Sequence, residues 1–356
     1  MIMSRPEFIE AIRDIYTEAC NLREGENVLI VADSRMPHEI ANDFLVQAHL
    51  AGAFPTILTS PTRLLKPGEH HAQSWPAALE TAFPSADLVI DLCGVWGDFV
   101  TQALRGKTRV LAMSWGWEGA EFVDRTVDLW QRVDREKMKR EVRAIAKALD
   151  GASEMRVTGR DGTDFVVDIR DSVYSKNDGY LWDADTQEFV SKYEVYPPSH
   201  PGLFIPQGRA NGTLAIHAYM NTEAESVDLR DQPVLLDIKD SKIVAVHGEG
   251  DKVAQFREYI DIYCSDEDIK GPCHAFFGLN PKAKLDTKHI ELERYRGALT
   301  WGWGDSATVF DLLGHDLEAV EGTIHWDLIT VGSTVSIDGQ VVLESGRYTD
   351  LITQSS

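Results

Sequence analysis

Cysteine is scarce in this chain. Its 356 residues include four (Cys20, Cys93, Cys264 and Cys273), scattered and without a Cys-x-x-Cys pair. That excludes zinc fingers and a disulfide framework as sources of stability. Positive charge is short as well: 57 Asp and Glu stand against 35 Lys and Arg, a formal net charge of −22. Binding a phosphate backbone takes clustered cations, so nucleic acid is excluded as a partner. The acidity says little about a small substrate, because surface charge mainly serves solubility. No apolar run reaches the roughly 18 residues that a bilayer span requires, and no membrane partner is expected. The opening MIMSRPEFIEAIRDIY carries charges at helical spacing and lacks a signal-peptide apolar core, so a cytoplasmic location is expected. A Gly-x-Gly-x-x-Gly turn is also missing. After the first expected strand, residues 32–39 read ADSRMPHE, so a dinucleotide site is not expected. Internal repeats and low-complexity segments are lacking too.

What is present is an ordinary globular composition, 43% hydrophobic and 26% charged, in a chain long enough for two domains. Residues 1–150 alternate between helical and strand patterns. Helices are expected near 5–21, 37–51 and 124–149, and short continuously apolar strands near 28–32, 55–59, 86–93 and 108–114. Apolar strands separated by helices predict a parallel sheet covered on both faces, an α/β domain of Rossmann-like rhythm. From residue 151 the pattern becomes period-two alternation. A turn at Arg160-Asp161-Gly162 predicts a hairpin over 155–169. Further strands are expected at 213–220, 233–238, 242–247, 297–303, 323–331 and 333–344, with a helix near 250–263. Residues 151–356 are therefore expected to form an α+β domain, mostly antiparallel, which carries the chemistry.

The segment EGTIHWDLITVGS over 321–333 reads as a strand rich in β-branched and aromatic residues. Side chains two apart share a face, so His325 and Asp327 point the same way, roughly 6–7 Å apart at the backbone, and can converge on one ion. Of the eleven histidines, His70, His71, His289 and His315 lie in polar loops, charged runs or turns and read as solvated surface. His274 differs. It follows a Gly-Pro turn in GPCHAFFGLNPKAKL (271–285) and opens an aromatic run. Adding His274 to His325 and Asp327 makes two imidazoles and one carboxylate. That donor set suits non-haem Fe(II) oxygenases, and three protein ligands plus water suit a catalytic zinc equally. In β-sandwich oxygenases the lone histidine follows the His-x-Asp pair; here it precedes it.

Tryptophan is the second signal. Trp96, Trp115, Trp117, Trp182, Trp301, Trp303 and Trp326 fall near expected strand ends or turns. GALTWGWGDS over 297–306 interleaves two of them with glycine, a pattern that lets an indole stack on a flat ligand. Trp301 or Trp303 is thus a candidate for stacking, and Asp305 and Ser306 for polar contacts with a substrate.

VTGRDGTDFVVDI (157–169), GLFIPQGRANGTL (202–214), HAFFGLNPKAKL (274–285) and HWDLI (325–329) together resemble the 2,5-dihydroxypyridine 5,6-dioxygenases and, more distantly, aminopeptidase T-like metallopeptidases. The resemblance runs over most of the chain, and more weakly in its first half. It implies Fe(II) held by His274, His325 and Asp327, with a hydroxylated ring bound through an oxygen and dioxygen beside it. Both oxygen atoms would enter the cleaved ring. The metallopeptidases instead hold two metals with extra glutamates. Here FIPQGRANG over 204–212 contains no acidic residue, and His274 stands where a carboxylate would be needed, so one metal and redox chemistry are expected, with a zinc- or cobalt-dependent hydrolase as the alternative. The dioxygenases carry a serine near the iron. Thr300 or Trp301 falls near that place, with Ser306 a few residues on. A family histidine of the first domain is replaced around Trp96, and a family acidic residue has its nearest counterparts in Asn177 and Asp178. His200, in PSHPG over 198–202, matches a family histidine beside the ligands. His200 and Tyr180 are candidates for substrate hydrogen bonds or proton transfer. The expected partners are a small hydroxylated aromatic or N-heteroaromatic ring and O2. A homo-oligomer is expected from the frequency of symmetric assembly among enzymes of this size.

Overall fold

The structure, a computed structural model, describes residues 5–62, 66–69, 75–113, 116–286 and 289–354. His70, His71 and Trp115 lie outside the described residues. The chain forms two compact units.

The first unit comprises Met1–Leu64, Ala72–Val133 and Asn177–Pro198. Its sheet has five strands in the order Tyr193–Val195, Arg109–Ala112, Leu88–Asp91, Asn27–Asp33 and Phe54–Ser60, all paired in parallel. The inner strands are buried along nearly their whole length, which explains why they read as unbroken apolar runs rather than alternations. Helix Pro6–Asp14 precedes the first strand, and His38–Leu50, Ala77–Ala82 and Asp98–Arg105 occur between the strands.

The second unit comprises Leu65–His71, Asp134–Lys176 and Ser199–Ser356, so the units do not divide at residue 150. The helix expected over 124–149 is interrupted. Gly119–Thr126 runs into one wide turn, Val127–Gln131, and Asp134 then caps a new helix, Arg135–Leu149, by accepting from the Lys137 amide at 2.9 Å. Capping satisfies an amide that the first turn cannot. Val142, Ile145 and Leu149 of that helix enter the core of the second unit, because an amphipathic stripe goes where it finds apolar partners. Conversely, residues 177–198 return to the first unit and supply its edge strand, a three-residue segment too short to carry a sequence pattern.

The second unit holds an eight-stranded and a seven-stranded sheet. The hairpin expected over 155–169 is present as Glu154–Thr158 and Asp164–Asp168. The seven-stranded sheet runs Ser226–Asp228, Tyr219–Asn221, His325–Thr330, Leu299–Gly304, His274–Phe277, Gly202–Phe204 and Val173–Ser175, with its ladders antiparallel. One face of this sheet enters the main core, contributing Leu203, Ala275, Phe277, Trp301, Trp303, Trp326 and Leu328. Each buried indole removes roughly 200 Å² from water, about 5 kcal/mol at 25 cal/mol/Å² before entropy is counted. No helix among the described residues is long and apolar enough to cross a membrane.

Candidate metal centre

Register places the candidate ligands. His274 pairs with Gly302, and Gly302 with Asp327; His325 pairs with Gly304. Residues opposite one another in a ladder share a face, so His274, Gly302, Gly304, His325 and Asp327 all lie on the face turned away from the core. Asn221, paired with Asp327, and Phe204, paired with His274, extend the same row. Phe276 and Thr300 form the next row.

The three side chains meet at their tips. His274 Nε2 lies 3.1 Å from Asp327 Oδ1 and 3.3 Å from His325 Nε2, and His325 Nε2 is 3.7 Å from Asp327 Oδ1. Donors about 2.1 Å from a common centre are about 3.0 Å apart at right angles and about 3.4 Å apart at tetrahedral angles. The observed spacings suit a single divalent ion held on one side. Among the described residues this is the only group of three or more such donors whose ligand atoms lie within 4.8 Å of one another.

The surroundings prepare His325 for that role. Its Nδ1 donates to the Asp305 carbonyl at 2.7 Å, which leaves the Nε2 lone pair facing the cluster, the arrangement usual for a metal-bound imidazole. Burial opposes charge on this ring, yet Asp327 and Cys273 raise its pKa well above the ordinary value. The strand is anchored just upstream. Asp268, fully buried, accepts from the amides of Thr323 (2.6 Å) and Ile324 (3.0 Å) and from the Thr323 hydroxyl (2.7 Å).

Aromatic rings flank the donors. Phe204 is edge-on to His274 at 6.2 Å and to Phe276 at 5.2 Å, with Phe310 5.7 Å away. His200 is buried. It lies over Phe276 at 5.0 Å, with Nε2 3.3 Å from Thr300 Oγ1 and Nδ1 3.8 Å from Glu293 Oε2. Burial, with Arg294 and His274 nearby, pushes its pKa well below the ordinary imidazole value, so it is neutral.

Other expectations meet different surroundings. Trp301 and Trp303 point into the core on the opposite face, fully buried. Trp301 packs edge-on to Phe165 and donates to Thr330 Oγ1 at 3.3 Å. This orientation does not suit the stacking role: in the strand expected over 297–303 and found as Leu299–Gly304, alternation that puts glycine on the donor face puts tryptophan on the other. Ser306 is buried, and its hydroxyl accepts from the Val320 amide at 2.7 Å, which closes a loop. Tyr180 belongs to the first unit, where its ring packs on Trp130 at 5.3 Å. Trp96 and Asp178 lie there too, Trp96 against Tyr193 and Asp178 accepting from the Tyr180 amide. His315 does follow a left-handed glycine, Gly314, but is half-buried, its ring 5.1 Å from Phe204. The aromatic neighbours were missed in part. Phe276 was legible as two residues beyond His274, whereas Phe204 joins them only through pairing.

The family profile described as 2,5-dihydroxypyridine 5,6-dioxygenase (NicX) matches residues 7–350. The chain belongs to that family. A comparison with curated protein sequences finds no match. Among solved structures, the family's fold recurs in a 2,5-dihydroxypyridine dioxygenase from Pseudomonas putida KT2440, with 17% identity and a TM-score of 0.74 over 98% of both chains. AmpT from Thermus thermophilus is similar at 14% identity and a TM-score of 0.65, over 96% of this chain and 99% of that one. At these identities the likeness is one of fold.

Proposed function

We propose that the protein is a mononuclear non-haem Fe(II) dioxygenase that cleaves a hydroxylated pyridine or related aromatic ring and inserts both atoms of O2. One observation carries this reading: in a member of the dihydroxypyridine dioxygenase family, two imidazoles and one carboxylate converge on a single point of an aromatic-walled sheet face. Bound iron supplies the redox centre through which ring and dioxygen react. The chain's own residues do the rest. His274, His325 and Asp327 would hold the ion, and three protein donors would leave it able to take further ligands. Phe204, Phe276 and Phe310 present flat apolar surfaces that suit an aromatic ring and keep water out. His200, buried and neutral, stands with Nε2 3.3 Å from the Thr300 hydroxyl, where it can orient a ring hydroxyl by hydrogen bonding. The donor set also weighs against a two-metal hydrolase, which would need further carboxylates to neutralise a second dication.

The test is anaerobic purification, elemental analysis and oxygen uptake against a panel of dihydroxypyridines and dihydroxybenzoates. Stoichiometric iron, oxygen consumption and loss of ring absorbance would support the reading. Paired zinc or cobalt ions, no oxygen uptake, and release of amino acids from small peptides would replace it with the hydrolase.

A further inference from the structure

We propose that Gly302 is a positioning residue of the metal centre, the one position on this face where the absence of a side chain lets His274 reach the ion. The inference rests on the metal reading above. His274 and Asp327 stand on strands separated by the strand of Gly302. Neighbouring strands lie roughly 4.8 Å apart, so the two backbones are about 10 Å apart. Their donor atoms are nonetheless at 3.1 Å. The imidazole closes that gap by lying across the middle strand. A Cβ built at Gly302 falls far inside any real contact distance, and its three nearest atoms are Nε2, Cδ2 and Cε1 of His274.

The other glycines of this face are blocked differently. At Gly304, φ is +79° and the obstacle is the Ile324 carbonyl; at Gly202 it is the Ala275 carbonyl. Those are backbone clashes that disturb the sheet itself. Gly302 has no left-handed φ, so its backbone accepts alanine, and the three atoms nearest a methyl group there all belong to the end of the His274 side chain. Glycine normally weakens a strand by its extra chain entropy. Here that cost leaves room for a ring.

The experiment uses the full metal-free chain as wild type, Gly302→Ala, His274→Ala and the double variant. Each is titrated with Co(II) and followed by visible absorption, with thermal midpoints recorded before metal is added. Gly302→Ala is expected to bind Co(II) at least about tenfold more weakly, the lower end for residues that orient a ligand. Its metal-free midpoint should match or exceed wild type, since alanine restricts the unfolded chain. In the His274→Ala background the same change should cost no further affinity, because the ring it displaces is gone. Wild-type affinity in Gly302→Ala would overturn the inference alone, as would an equal loss in both backgrounds. If Gly302→Ala fails to fold, the double variant should fold; failure of both would show that the methyl meets more than the imidazole and overturn it too. A wild-type protein that binds no Co(II) would remove the metal centre and this inference together.

Discussion

Along Leu299–Gly304 one strand serves two faces of a sheet. Trp301 and Trp303 point into the core beside Trp326 and Leu328, while Gly302 and Gly304 lie on the side of His274, His325 and Asp327. The core face is filled to the density of an organic crystal, and its value lies in burial. The donor face carries glycine, polar side chains and the rings of Phe204 and Phe276. Period-two alternation keeps the two jobs on one backbone, so residues adjacent in sequence differ in what their loss should cost.

The largest expected effect breaks the donor face. His325→Ala should abolish metal retention, lowering affinity by more than the ~100-fold typical of losing a residue that merely orients a ligand, with the far-UV circular dichroism preserved. Elemental analysis after gel filtration checks it, and a variant that keeps stoichiometric metal would end the distinction between the faces. Next comes the core face. Trp301→Ala should cost about 3–5 kcal/mol of stability by chemical denaturation, with the metal still bound in the folded protein. The milder Trp301→Phe should leave the KM for an aromatic substrate unchanged. A large rise in KM without destabilisation would revive the stacking role for this tryptophan.

A third test sharpens the electrostatics of the donor face. The folded-state pKa of His200 is depressed by burial. Below an unfolded value of about 6.5 the unfolded chain therefore binds a proton that the native chain refuses. The stability that neutral His200 allows is present above that pH and is lost as pH falls toward the folded pKa, by about 1.4 kcal/mol per pH unit. His200→Gln should flatten that part of the pH–stability curve relative to wild type; superimposable slopes would show that His200 is not a buried neutral group. The smallest effect is expected at Ser306. Losing the hydroxyl that accepts from the Val320 amide should cost about 1 kcal/mol and leave metal content unchanged. Lost metal in Ser306→Ala would instead bring the serine into the donor set.

Much of the site was legible before folding, and for identifiable reasons. His325 and Asp327 share a face because strands alternate, and a six-residue run of β-branched and aromatic residues announces a strand. Phe276 follows from His274 by the same rule. Alternation along the strand expected over 297–303 puts glycine and tryptophan on opposite faces, but it does not say which of the two faces the core covers. The unit boundary was drawn at the change of texture near residue 150, yet the helix Arg135–Leu149 had already joined the second core. Local pattern shows that a helix has an apolar stripe, not which sheet will cover it. His315 looked like a turn residue and is one, but its ring also reaches Phe204.

By itself, the sequence determined the strand that carries His-x-Asp, the parallel sheet in the first unit, the antiparallel character of the second, and three side chains of a type that can hold a metal. These depend on periodicities of a few residues, which the chain states locally. Only the tertiary structure decided that a strand from 274 and a strand from 325 flank the same glycine, that their tips meet within 3.1–3.7 Å, and that the tryptophans turn away. Those outcomes depend on register between strands far apart in the chain. Pairing energy and core burial, summed over the whole sheet, select that register, and no short stretch of residues contains it.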